Sequence, residues 1–252
     1  MTTPTAFTHG AHAGPAPLPT PVLSVDALTV DVADGRRLRR VLDRVTLEVA
    51  AGEMVAVMGP SGAGKSTLLG AACGLVVPQG GGVRLYGDQP RMVSSAWWAD
   101  RRRDTIGVVH QRLNLLGGLS AVDNAALAVD LLGGSHRTAR RAALAALERV
   151  GAAHVAETRA ERLSVGEQQR VAIARGITGD RPLLLADEPS AALDRTSADE
   201  ITRLLADLAA EGRAVLLVTH DSQQASWADR TIVLRDGCVV DQVKADTASR
   251  GR

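Results

Sequence analysis

The stretch from Gly59 to Thr67 reads Gly-Pro-Ser-Gly-Ala-Gly-Lys-Ser-Thr, which fits the phosphate-binding pattern G-x-x-x-x-G-K-[S/T]. It follows an apolar run, Met54 to Met58, that predicts a buried parallel strand, and it precedes Leu68 to Ala72, which predicts the start of a helix. Strand, loop and helix in this order are the setting that the pattern requires. The residues expected to surround phosphate are Gly59, Pro60, Ser61, Gly62, Ala63, Gly64, Lys65, Ser66 and Thr67.

The residue types in this loop suit an anion. Glycines let the backbone curl closely enough for successive N–H groups to point inward, and the helix start adds the positive end of its dipole. Lys65 supplies a full positive charge for the outer phosphates, and the Ser66 hydroxyl is suited to Mg²⁺. The alternative is a glycine-rich turn that binds nothing, which the complete pattern and both flanks disfavour.

The composition narrows the possible functions. The chain has 252 residues, 45% of them apolar but only 2% aromatic, so its core must be built from Ala, Val, Leu and Ile. A net charge of +1 gives no support for nucleic-acid binding. We see no apolar run long enough to cross a bilayer and no secretory signal, so we expect a cytoplasmic protein. Cys73 and Cys238 are expected to be plain reduced thiols.

The pattern along the chain predicts an α/β fold with an insertion. Residues 1–21 are expected to be a disordered tail, 22–244 one folded unit and 245–252 a second tail. Within the folded unit, the Ala- and Leu-rich stretch from Ser120 to Gly151 has helical periodicity, which predicts a helical subdomain over about 112–165. Strands are predicted at 22–30, 45–49, 83–86, 106–109, 183–186, 214–219, 231–235 and 238–243.

A second motif is the apolar run Leu183 to Ala186, which ends in Asp187 and Glu188. Acids at the carboxyl end of a parallel strand beside a phosphate loop are typical of a Mg²⁺ site. We expect Asp187 to hold the metal and Glu188 to orient or deprotonate an attacking water. A charged turn is the alternative, and it is disfavoured only because the phosphate loop is also present.

A third motif, Leu163-Ser164-Val165-Gly166-Glu167-Gln168, leads into a predicted helix. Serine and glycine at a helix start form a second anion site in the same chain. A chain whose phosphate loop already provides one anion site has no obvious need for a second.

Together these motifs resemble the nucleotide-binding subunit of an ATP-binding cassette (ABC) transporter over roughly residues 22–243. Gly59–Thr67 is similar to the Walker A loop, Leu183–Glu188 to Walker B and Leu163–Gln168 to the family signature. Three single residues match further family positions: the Q-loop glutamine, the D-loop aspartate and the switch histidine. They are Gln111, Asp194 and His220.

The resemblance implies a P-loop NTPase (RecA-like) core with an antiparallel β subdomain and an inserted helical subdomain. It implies ATP and Mg²⁺ as cofactors and a head-to-tail homodimer, with each ATP held between the Walker A loop of one copy and the signature of the other. Residues implied in nucleotide contact beyond the loop are Ser164, Gly166, Glu167 and Asp194. The implied metal ligands are Ser66, Gln111 and Asp187, and the implied catalytic residues are Glu188, His220 and Gln111.

The residues of the motifs are most similar to those of the subgroup of lipoprotein-releasing, macrolide-exporting and cell-division cassettes. That subgroup implies a peripheral ATPase on the inner face of the plasma membrane, powering a separate permease that exports. The alternative is a non-transporting ABC ATPase that signals through a membrane partner. A soluble translation or repair ATPase and a non-hydrolysing cassette are disfavoured, the latter because Glu188 and His220 are both present.

The sequence departs from the family pattern in two places. Val165 replaces the usual first glycine of the signature, and a β-branched residue resists positive φ, so a weaker site is expected there. The family also commonly stacks adenine on an aromatic residue before Walker A, but residues 22–58 contain none. An arginine could stack instead, the candidates being Arg36, Arg37, Arg39 and Arg40, and loose base selectivity would follow.

Overall fold

The computed structural model of the protein describes residues 20–35, 37–89, 94–133 and 135–244. Except for Thr20 and Pro21, the two expected tails therefore lie outside the described residues. In chain order the strands are β1 (Leu23–Asp34), β2 (Arg37–Val49), β3 (Met54–Met58), β4 (Gly80–Leu85), β5 (Ile106–Val109), β6 (Leu183–Asp187), β7 (Ala214–Val218), β8 (Arg230–Arg235) and β9 (Cys238–Lys244). The helices are α1 (Lys65–Ala72), α2 (Ser95–Asp104), α3 (Ala121–Asp130), α4 (His136–Arg149), α5 (Val165–Ile177), α6 (Arg195–Ala210) and α7 (Ser222–Ala225).

A six-stranded sheet forms the centre of the fold, in the order β5-β6-β7-β3-β8-β9. Only β9 at the edge pairs antiparallel. Residues of β6 alternate between two hydrophobic clusters, with Leu183 and Leu185 on one face and Leu184 and Ala186 on the other. Because both faces are covered, the strands are continuously apolar, as the sequence predicted.

A second, antiparallel sheet has the order β2-β1-β4 and packs with α1 over one face of the central sheet. Its first two strands are longer than predicted from sequence, because the arginine-rich start of β2 pairs with the acidic end of β1. Arg40 lies opposite Asp31 in this ladder, and its Nε atom is 3.0 Å from the Asp31 carboxylate.

The two helices α3 and α4 lie between β5 and α5, within the span where the sequence predicts a helical subdomain. Asn124 of α3 is fully buried. Its side chain accepts a hydrogen bond from the N–H of Leu116 at 2.8 Å and donates one to the carbonyl of Leu116 at 3.0 Å. This side chain therefore ties the segment after Gln111 to α3.

No helix in the described part of the chain has both the length and the apolar character to span a bilayer.

Candidate active site

The loop 59–64 connects β3 to α1. Two of its glycines, Gly59 and Gly64, lie so close to neighbouring backbone that no side chain would fit. A Cβ atom at Gly59 would lie 2.1 Å from the carbonyl oxygen of Leu234 in β8. Gly64 has φ of 102°, and a Cβ there would lie 2.7 Å from the Val41 carbonyl oxygen of β2. Side chains would therefore collide with two different strands, so these positions hold the loop tightly against both sheets.

The side chains of this loop have different surroundings. The Lys65 ammonium is buried and donates hydrogen bonds to the carbonyls of Gly59 at 2.8 Å and Pro60 at 3.0 Å. Ser61 and Ser66 are exposed, whereas the Ala63 side chain is buried in the core, so Ala63 can meet a ligand only through its backbone. Phosphate would meet backbone N–H groups and a lysine that the loop already orients.

Asp187 ends β6 beside this loop, and its carboxyl group fits a metal. Its Oδ1 atom is buried and has no hydrogen-bond partner among the described residues. Burial raises the pKa of Asp187, and the nearby Ser66 hydroxyl opposes that rise. A buried carboxylate oxygen without a partner is costly unless a cation meets it, and Mg²⁺ prefers oxygen ligands of this kind. The hydroxyl and the carboxyl group together form a donor set that suits Mg²⁺.

Three of the predicted catalytic side chains meet at the carboxyl ends of adjacent strands. Glu188 follows β6, and its Oε1 atom lies 3.1 Å from Nδ1 of His220, which follows β7. The amide of Gln111, which follows β5, donates to the other Glu188 oxygen at 3.3 Å. Glu188 therefore has both oxygens engaged, one with an imidazole and one with an amide.

The backbone of Glu188 is unusual. Its φ of 46° lies in the left-handed region, where non-glycine residues are uncommon. Its N–H donates to the Val218 carbonyl of β7 at 2.9 Å, which fixes the turn. This conformation redirects the chain immediately after the strand and brings the carboxylate toward Gln111 and His220.

Ser164 and Glu167 form a capping box at the start of α5. The Ser164 hydroxyl accepts from the Glu167 N–H at 3.3 Å, and Glu167 accepts from the Ser164 N–H at 2.8 Å. The pKa of Glu167 is lowered mainly by its hydrogen bonds with the side chain and backbone of Ser164. In the described residues no hydrogen bond joins these two residues to the 59–67 loop.

Val165 does not have the positive φ from which a weaker signature site was expected, while the strength of that site stays a prediction. Val165 is the first residue of α5, it does not have positive φ, and its side chain is 61% exposed. Gly166 follows it in the helix, and an added Cβ there would lie 3.5 Å from Leu193, an ordinary contact. A β-branched residue therefore fits this helix start without backbone strain.

Asp194 caps the next helix. Its side chain accepts a hydrogen bond from the N–H of Ser197 at 3.0 Å, and hydrogen bonds with Ser197 lower the pKa of Asp194. The structure thus gives Asp194 a role in starting α6.

A cleft next to the phosphate loop is lined on its other side by Val32, Arg39 and Val41. Of the four arginines considered from sequence, Arg39 lies in this cleft, Arg40 is paired with Asp31, and Arg36 lies outside the described residues. Arg37 is exposed at the start of β2 and does not line the cleft. The structure therefore leaves Arg39 as the candidate for contact with a base.

Two polar residues of α5 reach functional loops and were not singled out from sequence. The Gln169 amide, which is buried, binds the carbonyl of Pro189, next to Glu188. Arg175 binds carbonyls in the segment after Gln111. Arg175 lies within the apolar stretch from Val171 to Ile177 and Gln169 lies just before it. A polar residue in such a stretch was the sequence signal that could have pointed to these contacts.

Comparison with known proteins agrees with this geometry. The family described as ABC transporter matches residues 42–191. A macrolide export ATP-binding/permease protein of Chlorobaculum tepidum is 42% identical over 209 residues, covering 83% of this chain and 32% of the relative. An uncharacterised ABC transporter ATP-binding protein of Mycobacterium tuberculosis is 40% identical over 212 residues, covering 84% of this chain and 64% of that protein. The chain thus spans less than two thirds of the length of these relatives.

A solved structure described as a dimeric bacterial ABC transporter cassette superposes with a TM-score of 0.85 and 34% identity, covering 89% of this chain and 99% of that chain. The same cassette in a dimeric post-hydrolysis state bound to ADP and phosphate gives the same TM-score. These matches confirm the expected fold, a P-loop NTPase. The chain belongs to the ABC transporter family, as an ATP-binding cassette similar to those of macrolide-export proteins.

Proposed function

We propose that this chain hydrolyses ATP and uses the cycle to drive a membrane permease. The observation that carries the proposal is the meeting of Gln111, Glu188 and His220 beside the phosphate loop. A carboxylate held by two polar side chains next to a phosphate site is suited to orient a water for in-line attack.

Binding of the triphosphate is assigned to the loop 59–67. Its backbone N–H groups and Lys65 would meet the phosphates, and the start of α1 adds a favourable dipole. The base would lie in the cleft lined by Arg39 and Val32.

The metal is assigned to Ser66 and Asp187, with Gln111 as a further ligand. The unpartnered Oδ1 atom of Asp187 supports this assignment. When bound, Mg²⁺ would supply charge neutralisation for the transferred phosphoryl group.

Hydrolysis is assigned to Glu188 as the residue that accepts or orients the water proton. His220 would keep the carboxylate in place and contact the outer phosphate, and Gln111 would hold its other oxygen. Both contacts restrict the rotamers of Glu188, so the carboxylate is oriented before nucleotide binds.

The second anion site supports a dimer. Ser164 and Gly166 lie at the start of α5, which would face the nucleotide of another copy, and Asp194 would lie near that interface. ATP would then join two copies and its cleavage would release them. The dimeric form of the related cassette supports this arrangement.

The partner is proposed to be a permease of the macrolide-export type. The relatives that combine ATP-binding and permease functions in one protein support this choice. The protein would then act at the inner face of the plasma membrane, bound to that permease, with export as the outcome.

The experiment compares the full chain with its Glu188→Gln variant. The wild type is expected to hydrolyse MgATP, whereas the variant should bind ATP, lose hydrolysis by at least about 100-fold and accumulate as a dimer. Glu48→Gln is the matched control, because Glu48 is exposed on β2 and its carboxylate forms no ion pair with any described residue. Hydrolysis unchanged in Glu188→Gln would overturn the role of Glu188, and a strictly monomeric variant would overturn the dimer.

Hydrolysis stimulated by the permease without cargo movement would favour signalling over export.

A further inference from the structure

Helix α5 approaches β5 unusually closely. A Cβ at Gly107 of β5 would lie 2.3 Å from the carbonyl oxygen of Gly176, and a Cβ at Gly176 would lie 2.7 Å from the Val109 side chain. Two glycines therefore allow helix and strand to touch backbone to backbone. Since β5 leads directly into Gln111, the end of α5 lies beside the start of that segment.

Arg175, near the end of α5, binds two carbonyls of the segment that follows Gln111. Its Nη1 atom donates to the Asn114 carbonyl at 2.7 Å, and its Nη2 atom donates to the Leu113 carbonyl at 2.6 Å. Asn114 has φ of 49°, a left-handed conformation that asparagine tolerates and that lets two successive carbonyls face one guanidinium group. The planar fork of arginine matches this pair of acceptors, and a lysine ammonium would not.

Two neighbouring arginines show what is particular to Arg175. Arg181 and Arg213 also donate to backbone carbonyls at the end of α5, namely those of residues 175–179. Neither has a hydrogen bond to the 111–116 segment in the described residues. Only Arg175 of these three connects the helix to the segment that carries Gln111.

The segment after Gln111 is therefore held by side-chain hydrogen bonds from two different helices. Asn124 holds Leu116 from the helical region, and Arg175 holds Leu113 and Asn114 from the core helix whose other end carries Ser164. The Gln111 side chain in turn contacts Glu188.

We infer that Arg175 is a positioning residue for hydrolysis, which fixes the Gln111 segment so that Gln111 stays against Glu188. The inference rests on the proposed ATPase function. Arg175 is assigned no contact with the reacting atoms and acts through the two carbonyls. Movement at the nucleotide-facing end of α5 would thereby reach the catalytic carboxylate of the same chain.

The test compares Arg175→Lys with Arg213→Lys, which makes the same change in a residue that also binds two carbonyls at this helix end. In the nucleotide-free chain, amide hydrogen exchange across residues 111–118 is expected to be faster in Arg175→Lys and unchanged in Arg213→Lys. In MgATP hydrolysis, kcat of Arg175→Lys should fall about tenfold while KM stays within about twofold of the wild type.

A double variant separates positioning from general packing. If Arg175 acts through Gln111, adding Arg175→Lys to Gln111→Ala should lower kcat little further. A further independent tenfold loss in the double variant, or equal effects of Arg175→Lys and Arg213→Lys, would overturn the inference. Unchanged exchange together with unchanged kcat would also overturn it.

A second variant guards against misfolding of Arg175→Lys. Asn114→Val leaves Arg175 intact but disfavours the left-handed conformation, so it should also lower kcat and speed exchange in the segment. Absence of both effects would count against the inference. Should the wild type not hydrolyse ATP, the proposed function fails, while the exchange comparison still decides whether Arg175 holds the segment.

Discussion

Nδ1 of His220 lies 3.1 Å from Oε1 of Glu188, although 32 residues separate them in the chain. The contact joins the ends of β6 and β7, which are neighbours in the central sheet. Replacement of His220 by alanine removes this contact and leaves the Glu188 carboxylate, within the described part of the chain, with the Gln111 amide as its remaining hydrogen-bond partner.

For His220→Ala we expect kcat to fall about 100-fold, because the carboxylate loses one of the two groups that orient it. Affinity for ATP should fall far less than kcat, since the phosphate loop stays intact and only the single contact of His220 with the outer phosphate is lost. Steady-state hydrolysis and a binding titration measure the two effects. His136→Ala is the control, an exposed histidine on α4 that lies near Asp130. An unchanged kcat would contradict the assigned role of His220.

The cleft residue Arg39 provides a prediction about the base. If its guanidinium stacks on the base, Arg39→Ala should weaken nucleotide binding by about 1 kcal/mol, with ATP and GTP affected alike. Titration of both nucleotides in wild type and variant measures this. Arg37→Ala, at an exposed position of the same strand, is the control. A strong preference of the wild type for ATP would count against stacking by arginine.

Substitution of Gly64 and of Gly212 by alanine can distinguish the cost of an unfavourable φ from the cost of a steric clash. Their φ values are 102° and 105°, but an added Cβ would strike the Val41 carbonyl at Gly64 and meet nothing within 4 Å at Gly212. We expect Gly212→Ala to lower the free energy of unfolding by about 1–3 kcal/mol, and Gly64→Ala to lower it more. Urea denaturation measures both. Equal losses would show that the loop relaxes away from β2.

The capping box at the start of α5 predicts a pH dependence. The folded-state pKa of Glu167 is below its ordinary 4.5, so its stabilising contribution is complete above pH 4.5 and is lost as pH falls through the lower folded value. Ser164→Ala should reduce the free energy of unfolding by about 1 kcal/mol at pH 7. The difference between variant and wild type should shrink below pH 4.5. Urea unfolding at pH 7 and at pH 3.5 tests this, and a constant difference would contradict it.

The central strands and the order of the motifs could be predicted from sequence because continuous apolar runs and fixed spacings are local signals. Periodicity alone predicts the helix before β7 over 199–211, whereas α6 begins at Arg195, because Asp194 provides a cap that the periodicity does not reveal. The polar start of β2 was missed because Arg37–Arg40 does not resemble a strand until it pairs with β1.

The contacts within the site depend on strand order, which the sequence does not contain. That Gln111 and His220 approach Glu188 from opposite sides follows from β6 lying between β5 and β7. Likewise, the reach of Arg175 depends on the approach of Gly176 to Gly107, two positions 69 residues apart whose proximity no local pattern indicates.

The two partners of the His220–Glu188 contact differ in exposure, since 67% of the imidazole but only 19% of the carboxylate side chain is accessible to solvent. In a single chain the His220 side of this contact is therefore open to bulk water, and a water aligned by Glu188, as proposed above, would be covered on that side only when a second copy closes over the imidazole. Turnover by an isolated subunit should be slow for this reason alone, so the cell would lose little ATP to cassettes that have not yet closed on anything.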